Sequence, residues 1–562
     1  MRRAPPPSCR SFGAALAVLA LLVLGCGAEK LGAHADGDGD GDGDGDPDGG
    51  FRPGDPGAAA ILFTDLTSGP VTGGEDDLGV FVTIFGEGFG AERGTSKVTI
   101  GGVEVARYVI WGQDNAPARN LDAIVVQPGP EVVSGDLVVT KEGKSSNPLR
   151  FTVRSGTIYF VEEGAPNASD ANPGTRAEPF ATLQRPASDL AAGDVVFVKG
   201  GTFDASDPWA TGWDCILCVF PDNHPAATAD APVAYVGYPG EPPVLGAPQP
   251  VRRALRVDGA MTGYVFANLH FTHYGGMVEL AGRGHRFVGN SLYDGIASYA
   301  IGIAGNTEEL EILGNLLRDN GEPGDKMNGV GLYLQGFGIN RNIDFGWNQI
   351  QDQHGSRPVQ AFGHQGGDIV DEVRIHDNLL SGSELNLIVL GGSDGGTNIL
   401  GTILVYNNIL VGADDPGLRV NEPAGTVLIQ NNVLYDNGSP GLNGSRAQIW
   451  LERTGRITLQ GNILYAQTDQ DYLQLGDVPV DQLAADHNLV FNSGADGCAG
   501  WDPSCIDADP LFVDVASGDF RLDASSPAVD SGADTGIGRD YAGTSRPQGA
   551  AFDVGAYERV AE

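Results

Sequence analysis

The sequence predicts an all-β protein in which a small β-sandwich precedes a long parallel β-solenoid with a cap at each end. The main observation is a short phrase, apolar-x-x-Asn-x-apolar, that recurs nine times at intervals of 22 to 33 residues. Self-similarity at such a period indicates a repeat fold. Each repeat also holds short alternating runs of Val, Ile, Leu and Tyr between Gly, Asn and Asp, which is typical of strands and turns and not of helices.

The asparagine of the repeated phrase is expected to stack from coil to coil. Asn tolerates the left-handed backbone of a tight corner, its amide bonds neighbouring backbone groups, and stacked coils would place these amides in a ladder. The phrase resembles that of the right-handed parallel β-helix family, typified by pectate lyases and many secreted surface proteins, and this implies that fold over residues 251–495. The predicted ladder residues are Asn268, Asn290, Asn315, Asn348, Asn378, Asn408, Asn432, Asn462 and Asn488.

The composition limits the partners that the protein can have. The chain has 34 basic and 73 acidic residues and a formal net charge of −39. Such an excess of negative charge argues against nucleic acid and against an anionic membrane surface as electrostatic partners. We expect a monomer whose partner is a polysaccharide and which touches the membrane only through a lipid anchor.

The first residues have the pattern of a targeting signal. A basic start is followed by an apolar run over residues 12–24, which is short for a membrane span. The run ends in VLGC, which resembles the lipobox of bacterial lipoproteins. That resemblance implies that residues 1–25 are removed and that Cys26 is acylated; an ordinary secretory signal is the alternative. Gly27 follows the cysteine, which by resemblance to Gram-negative lipoproteins implies the outer membrane or cell surface.

Two segments separate this signal from the solenoid. Residues 26–58 contain an Asp-Gly run that cannot bury a core and reads as an extended tether. Residues 59–154 hold short strands between turn signals, which suits a β-sandwich. The order GEGFG, VTIGG, Trp111 and SGDLVVTKEGK resembles the IPT/TIG domain, an immunoglobulin-like fold, and implies a spacer or binding module without catalytic residues.

Both ends of the solenoid carry segments that resemble closing segments of secreted β-helix proteins. Residues 155–250 contain SDANPGT, PFATL and GDVVFVKGGTF and are predicted to be an entry cap followed by a Pro-rich insertion. Residues 496–562 contain ADPLFVDV and DVGAYE and are predicted to be a C-terminal cap. Caps are needed because an open solenoid would leave strand edges unpaired.

Four cysteines lie beyond the predicted anchor. In an oxidising compartment the simplest pairing is local, Cys215 with Cys218 and Cys498 with Cys505, although four cysteines allow three pairings. The Cys-x-x-Cys could instead be redox-active or half of a zinc site. No second Cys-x-x-Cys or nearby Cys/His pair completes a metal set in the sequence.

Outward positions of stacked strands would form a long groove with side chains suited to a sugar chain. Aromatic rings stack on sugar rings, while amides and Arg bind hydroxyls or carboxylates. Unrelated surface side chains are the alternative interpretation. The predicted substrate-binding residues are Gln335, His354, Gln360, Arg419, Asn421, Trp450 and Glu452.

The densest polar stretch, residues 354–376, suggests where catalysis could occur. A lyase needs a base beside a uronate carboxylate and positive charge for the developing anion. The resemblance to pectate lyases does not include their acidic calcium cluster, and the Asn…Glu…Lys pattern of alginate and chondroitin lyases is also absent from the sequence. The predicted catalytic residues are Lys326, Tyr333, Arg357 and His364.

Three aspartates, Asp294, Asp319 and Asp352, each follow a predicted ladder asparagine by four residues. Stacked at the strand spacing of about 5 Å, they could form a glycosidase acid pair or a calcium seat. Repeated turn chemistry is the alternative, because Asp436 has the same offset. The sequence identifies no definite cofactor, and Ca²⁺ is the metal that the aspartate row would suit.

These observations predict a lipid-anchored surface protein whose β-helix binds polysaccharide and cleaves it, as a lyase rather than a hydrolase. The alternative is a non-catalytic glycan-binding or adhesin-type surface protein. An enzyme would bring Tyr333, Arg357 and His364 together in a cleft, whereas an adhesin would present them dispersed on a flat face.

Overall fold

The computed structural model describes a set of ranges that covers most of the chain after residue 50. The predicted signal peptide, Cys26, the tether up to residue 50 and His364 lie outside them. Within these ranges no helix is long and apolar enough to cross a membrane. The described ranges are 51–112, 116–119, 121–204, 215–246, 253–273, 277–295, 298–326, 328–363, 368–392, 401–421, 425–439, 445–452, 455–467, 469–476, 483–492, 497–498 and 500–560.

The first ten strands form a sandwich of two sheets. They are β1 (Ala60–Thr64), β2 (Ser68–Gly69), β3 (Val82–Glu87), β4 (Lys97–Ile100), β5 (Val103–Glu104), β6 (Arg107–Gly112), β7 (Asp122–Gln127), β8 (Gly135–Lys141), β9 (Lys144–Ser145) and β10 (Leu149–Val153). One sheet has the order β1-β3-β7-β6, and the other has the order β2-β10-β8-β4-β5, with β9 paired to β8. The alternating apolar residues that predicted these strands fill the space between the sheets.

The remaining strands belong to the solenoid and its C-terminal segment. The earlier ones are β11 (Ile158–Glu162), β12 (Val195–Lys199), β13 (Thr202–Phe203), β14 (Cys215–Val219), β15 (Val233–Gly237), β16 (Val244–Gly246), β17 (Arg253–Val257), β18 (Tyr264–Ala267), β19 (His270–Thr272), β20 (Val278–Val288), β21 (Ser291–Tyr293), β22 (Tyr299–Leu313), β23 (Leu316–Arg318) and β24 (Val330–Leu334). The later ones are β25 (Ile339–Gly346), β26 (Gln349–Gln353), β27 (Val359–Gly363), β28 (Ile369–His376), β29 (Leu379–Ser383), β30 (Ile388–Gly392), β31 (Thr402–Tyr406), β32 (Ile409–Ala413), β33 (Leu418–Asn421), β34 (Thr426–Gln430), β35 (Val433–Tyr435), β36 (Ala447–Glu452), β37 (Arg456–Gln460), β38 (Ile463–Tyr465), β39 (Asp471–Leu475), β40 (Leu483–Asp486), β41 (Leu489–Phe491), β42 (Ile506–Asp507), β43 (Phe512–Asp514) and β44 (Asp519–Leu522).

Parallel pairing stacks the coils on three faces, which confirms the predicted fold class. Face A contains β14, β17, the first part of β20 and of β22, β24, β27, β30, β33, β36 and β39. Face B contains β11, β12, β15, β18, the second part of β20 and of β22, β25, β28, β31, β34, β37 and β40. Face C is the twelve-stranded sheet from β13 to β42. Inward Leu, Ile, Val and Phe side chains fill the interior between the three faces.

The predicted asparagine ladder is present at the corner between faces B and C. Asn290 donates from its backbone and side-chain amides to Asn315 Oδ1 at 2.9 and 3.0 Å, and the same pair of bonds repeats from coil to coil until Asn488 donates to Asp502. Asn268 was misplaced by one residue, because Leu269 occupies its coil's ladder position and donates to Asn290 Oδ1. The left-handed residue of each corner precedes the ladder residue, as Gly314 precedes Asn315 with φ 62°.

The sandwich packs directly against the outer side of face B and this ladder corner, and together they form a hydrophobic cluster separate from the β-helix interior. Phe63 stacks 5.2 Å from Trp347, and Phe81 contacts Phe197 edge-on at 5.0 Å. Two corner glycines make room for the sandwich: a Cβ on Gly314 would lie 2.2 Å from the Phe63 ring, and a Cβ on Gly289 would lie 2.9 Å from the Phe85 ring. The two domains are therefore in close-packed contact along this surface.

This fit gives a prediction for Gly314→Ala. The new methyl group would strain a left-handed backbone and collide with Phe63, so we expect a loss of about 2 to 5 kcal/mol in the free energy of unfolding. Gly305→Ala is the matched control, since Gly305 has φ 68° but nothing within 4 Å of its Cβ position. It should lose only about 1 to 2 kcal/mol. Urea unfolding that gives equal losses would contradict the packing explanation.

The coils begin earlier than predicted. Val195 of β12 pairs with Ala234 of β15, and Val233 pairs with Tyr264 of β18, so the segment placed in an entry cap and insertion already contributes strands to faces A, B and C. The prolines of this segment indicated irregular chain, so the short strands between its irregular connections were not predicted from the sequence. Residues 163–194 cover the N-terminal end of the β-helix and bury Phe180 in its interior.

The predicted C-terminal cap also takes a different position for most of its length. The loop that the Cys498–Cys505 disulfide closes covers the last coil, and the Cys215–Cys218 disulfide is present as well, which confirms the local pairing. Residues 508–558 instead lie along the outside of face C. The physical reason is that outward positions of face C are apolar there and need cover; Ile409, Val433, Ile463 and Leu489 are buried against Phe520 and Val554.

Candidate functional site

The outward side chains of face A form one continuous register row across the β-helix. Tyr333 pairs with Gln360, Gln360 with Val389, Val389 with Arg419, and Arg419 with Trp450. Four strand spacings separate Tyr333 from Trp450, a span of about 19 Å. The row therefore has the length of several units of an extended polymer, while Gln360 and Val389 at its middle are only 7% and 2% exposed.

Arg357 lies beside the middle of this row with an incompletely satisfied guanidinium. Its Nη1 donates to Gln360 Oε1 at 3.1 Å, while its Nε is buried and has no hydrogen-bond partner within the described ranges. Burial lowers the pKa of Arg357, and Arg419 lowers it further, whereas Asp415 and Tyr333 act in the opposite direction. No carboxylate among the described residues forms an ion pair with Arg357. The site thus holds a partly buried positive charge that can accept an anion.

The other arginines of face A are already neutralised. Arg253 and Arg256 both bind the Glu279 carboxylate, at 2.6 and 3.0 Å. Arg419 binds Glu452 at 2.6 Å, and its guanidinium lies 4.3 Å from the centre of the Trp450 ring. The charges of the predicted residues Arg419 and Glu452 therefore neutralise each other, while the Trp450 indole N–H is buried without a hydrogen-bond partner in the described part of the chain.

Tyr333 lies next to Arg357 in an aromatic part of the row. Burial raises the pKa of the Tyr333 phenol, and Arg357 opposes this in part. The ring centre of Tyr299 is 6.4 Å away, and Gly302 leaves space for the Tyr299 ring, because a Cβ there would lie 2.4 Å from it. A phenol with a raised pKa stays protonated at neutral pH, so Tyr333 can donate a hydrogen bond but is a poor base in the free protein.

The remaining predicted site residues lie around this centre or apart from it. His354 is at the corner between faces C and A, where its Nε2 is 3.8 Å from Asp319, and it does not join the row. Lys326 is half-buried in the loop before β24, and Gln335 directly follows that strand. The Oδ1 atom of Asn421 is buried without a hydrogen-bond partner in the described part of the chain. The structure therefore brings Arg357, Gln360 and Tyr333 together.

The aspartate row forms the corner between faces C and A. Asp294, Asp319 and Asp352 have φ values of 57°, 53° and 51°, which is the left-handed backbone that Asp tolerates in turns. Asp319 also binds Arg318 at 3.2 Å. Over the ranges that the structure describes, no group of three or more His, Cys, Asp or Glu side chains could hold a metal ion. These residues act as turn residues and give no support to a calcium seat.

Glu279 belongs to the row and Tyr299 covers the row position of Gly302 with its ring, but neither residue was predicted from the sequence. The Tyr299 hydroxyl donates to Glu279 Oε2 at 3.0 Å. Alternation could have revealed Glu279, which stands between the inward residues Val278 and Leu280. It could not have revealed Tyr299, which has the parity of the inward residues Ile301 and Ile303. Glu279 and Tyr299 extend the groove toward the N-terminal coils.

His376, part of the dense polar stretch, is buried on the opposite side of the coil from face A. Its Nδ1 lies 2.7 Å from Asp377 Oδ2, and its Nε2 lies 2.6 Å from Asp344 Oδ1. Burial alone would lower the pKa of His376, but the two carboxylates more than offset it and the net pKa is raised. The ring stacks on Tyr406 at 4.9 Å. His376 therefore supports the structure and does not reach the groove.

The raised pKa of His376 gives a pH-dependent prediction. A histidine whose folded pKa exceeds its unfolded value stabilises the protein fully below about pH 6.5 and loses this contribution as pH rises through the folded value. The thermal midpoint of the wild-type protein should exceed that of His376→Asn most in mildly acidic buffer, and the gap should narrow in alkaline buffer. Melting curves across this pH range that show a constant gap would contradict the prediction.

Comparisons with known proteins give likeness only among solved structures. No protein-family model and no curated protein sequence matches the chain. A rhamnogalacturonan lyase is 16% identical with a TM-score of 0.42, covering 59% of this chain and 87% of its own. A pectate lyase, Pel9A, is 14% identical with a TM-score of 0.40 and coverages of 72% and 96%. A GH136 lacto-N-biosidase from Eubacterium ramulus is 11% identical with a TM-score of 0.35 and coverages of 59% and 67%. These values are too low to transfer an activity, so the function is argued from this chain's own residues.

Proposed function

We propose that the β-helix binds an acidic polysaccharide along face A. The observation that carries the proposal is the contrast among the arginines. Arg253, Arg256 and Arg419 are neutralised by glutamates, whereas Arg357 forms no such pair in the described chain. A partly buried guanidinium with an unused donor is costly unless an anion binds it. A uronate carboxylate has the charge and the planar geometry that an arginine fork recognises.

The net charge of −39 strengthens this argument. An acidic polymer would be repelled by the surface as a whole, so its binding needs a local positive charge. Arg357 supplies that charge, and Gln360 and Tyr333 beside it offer hydrogen bonds to sugar hydroxyls. The ring of Tyr299 extends the contact surface toward the N-terminal coils.

The second part of the proposal is that the site cleaves the chain by β-elimination. Lys326 or His364 would take the proton beside the uronate carboxylate, and Arg357 would stabilise the charge that develops on that carboxylate. The C–O bond would break as the double bond forms, and the protonated Tyr333 would give its proton to the leaving oxygen. A lyase is favoured over a hydrolase because the face A carboxylates Glu279 and Glu452 are held by arginines. A hydrolase needs two carboxyl groups free to act on the glycosidic bond. A non-catalytic adhesin remains the alternative.

Lipid anchoring through Cys26 at the cell surface is part of the same proposal and is supported by the VLGC sequence. Metabolic labelling with a fatty acid should mark the wild-type protein and leave Cys26→Ser unlabelled. Label on both proteins, or on neither, would contradict the anchor. The tether of alternating Asp and Gly would then hold the β-helix away from the membrane.

The activity is tested by producing the protein in secreted form without its lipid anchor and incubating it with uronate-containing and neutral polysaccharides. Ultraviolet absorbance from unsaturated uronates together with new reducing ends would support a lyase. Reducing ends without that absorbance would overturn elimination in favour of hydrolysis. Retention of acidic polysaccharides without cleavage would support the adhesin alternative, and failure to retain them would overturn the groove proposal.

A further inference from the structure

A second concave surface lies on face B at the C-terminal end of the β-helix. It is a depression of about 580 Å³ between two neighbouring strands and the disulfide-closed end loop. Face A carries the groove of the proposed function, so the depression is a separate surface. Its lining includes Thr458, Gln460, Ala484, Asp486, Trp501 and Pro503.

The floor of the depression is flat because its outward side chains are small. Thr458 of β37 is the register partner of Ala484 of β40, and Ala484 is exposed. Two residues further along, Gln460 pairs with Asp486. A small, level patch with a polar edge can receive a ring without steric conflict.

Trp501 forms the wall beside this floor. It lies in the loop closed by the Cys498–Cys505 disulfide, and its backbone N–H donates to Cys498 O at 3.0 Å. The side chain is half-buried against the last coil. Within the described ranges its ring makes no aromatic or cation contact, unlike Trp450, whose ring Arg419 covers. The indole is thus held in place, and part of its ring surface remains accessible to a ligand.

The polar edge is preorganised by its own hydrogen bonds. Asp486 Oδ1 accepts from the Ser504 hydroxyl at 2.7 Å and lies 2.6 Å from His487 Nδ1. Gln430 donates to Gln460 Oε1 at 2.9 Å. These bonds fix a carboxylate and an amide next to the indole, and together they offer both acceptors and donors.

We propose that this depression is a second carbohydrate site that binds a ring of a neutral sugar. The indole would stack on the apolar face of the ring, while Gln460 and Asp486 would bind its hydroxyls. An organic cation is a poorer fit, because Asp486 is already bonded to Ser504 and His487 and because the exposed Arg456 is on the same outward side of β37. The site is independent of the groove on face A.

The test measures binding of cellohexaose, xylohexaose and mannohexaose to the whole secreted chain by titration calorimetry. At least one should bind the wild-type protein and the groove variant Arg357→Gln equally. Trp501→Ala should weaken that binding about tenfold, the loss expected for one stacked aromatic contact. Ala484→Trp should weaken it as well, because the added indole fills the depression while leaving the core intact.

Leu404→Trp is the matched control, since Leu404 is in the same outward row three strands away, in register through Leu428 and Thr458 with Ala484. It should bind like the wild-type protein. Absence of binding by all three oligosaccharides would overturn the proposal, as would full binding by Ala484→Trp. Loss of binding in Arg357→Gln but not in Ala484→Trp would assign the neutral sugar to the groove instead. The groove proposal is unaffected by failure of this test, because it is measured with acidic polysaccharides.

Discussion

Replacing Asn378 by alanine should lower the free energy of unfolding by about 3 to 5 kcal/mol, because several buried polar groups lose partners at once. Asn378 Oδ1 accepts from the backbone and side-chain amides of Asn348 at 2.9 and 3.1 Å. Its Nδ2 donates to Phe345 O and to Asn408 Oδ1, both at 2.9 Å. The variant would leave donors on one coil and a carbonyl on another without partners in a dry corner.

Asn340→Ala is the matched control for this prediction. Asn340 is also fully buried on face B, but within the described ranges its side chain donates one long hydrogen bond, to Phe337 O at 3.3 Å. Its Oδ1 has no partner among the described residues. We expect a loss of about 1 kcal/mol. Chemical unfolding measures both variants; similar losses would show that the ladder adds nothing beyond an ordinary buried asparagine.

Replacing Arg357 by glutamine should weaken binding of an acidic oligosaccharide such as trigalacturonate about 10- to 100-fold, since hydrogen bonds to charged groups contribute about 1.5 to 3 kcal/mol. The affinity for neutral oligosaccharides should stay the same. Arg357→Lys should give an intermediate loss, because lysine keeps the charge but lacks the planar fork. Titration calorimetry at several salt concentrations measures the change, and the wild-type affinity should fall as salt increases.

The matched control for Arg357 is Arg283→Gln. Arg283 is 60% exposed, donates to Glu309 at 2.9 Å and lies off the groove at the bend within β20. Removing it changes the net charge by the same amount, so equal weakening in both variants would indicate a general charge effect. An Arg357→Gln protein that binds trigalacturonate as tightly as the wild type would remove the main support for the proposed function.

The parts of the fold that the sequence could predict depend on repetition and alternation. The ladder was predictable because eight of its nine asparagines keep one place relative to the strands. The prediction for Asn268 was wrong because Ala-Asn-Leu and Gly-Asn-Ser both match the same loose phrase. Only the pairing of Ala267 with Val288 in the structure shows the shift by one residue. Periodicity therefore predicts the coils well but does not determine the strand register to within one residue.

The centre of the candidate site was predictable for a related reason. Tyr333 and Gln360 alternate with inward apolar residues, so their outward direction could be inferred from the sequence. The state of each arginine could not be inferred, because the partner of Arg419 lies one coil later and that of Arg253 is Glu279 on the neighbouring strand. Which charge remains unpaired is a property of the folded surface and distinguishes Arg357 from its neighbours.

Contacts between distant parts of the chain were beyond prediction. Arg119 of the sandwich donates to Asp377 O on the β-helix at 3.0 Å and to Tyr541 O in the C-terminal segment at 2.9 Å. The sequence around Arg119 has no feature that names either partner. Such contacts follow from shape after the coils have stacked, as the fit of Phe63 to Gly314 also does.

The position of the C-terminal segment has a consequence for the order of folding. Arg119 and Tyr541 are 422 residues apart in the chain, and Gly543 lies against Ala60 and Leu62 of the first strand. Contacts of such long sequence separation form slowly, because a large loop must close before they stabilise anything. The sandwich therefore reaches its final packing only after the segment around Tyr541 is made, and a fragment that lacks this segment would expose the apolar outside of face C to aggregation.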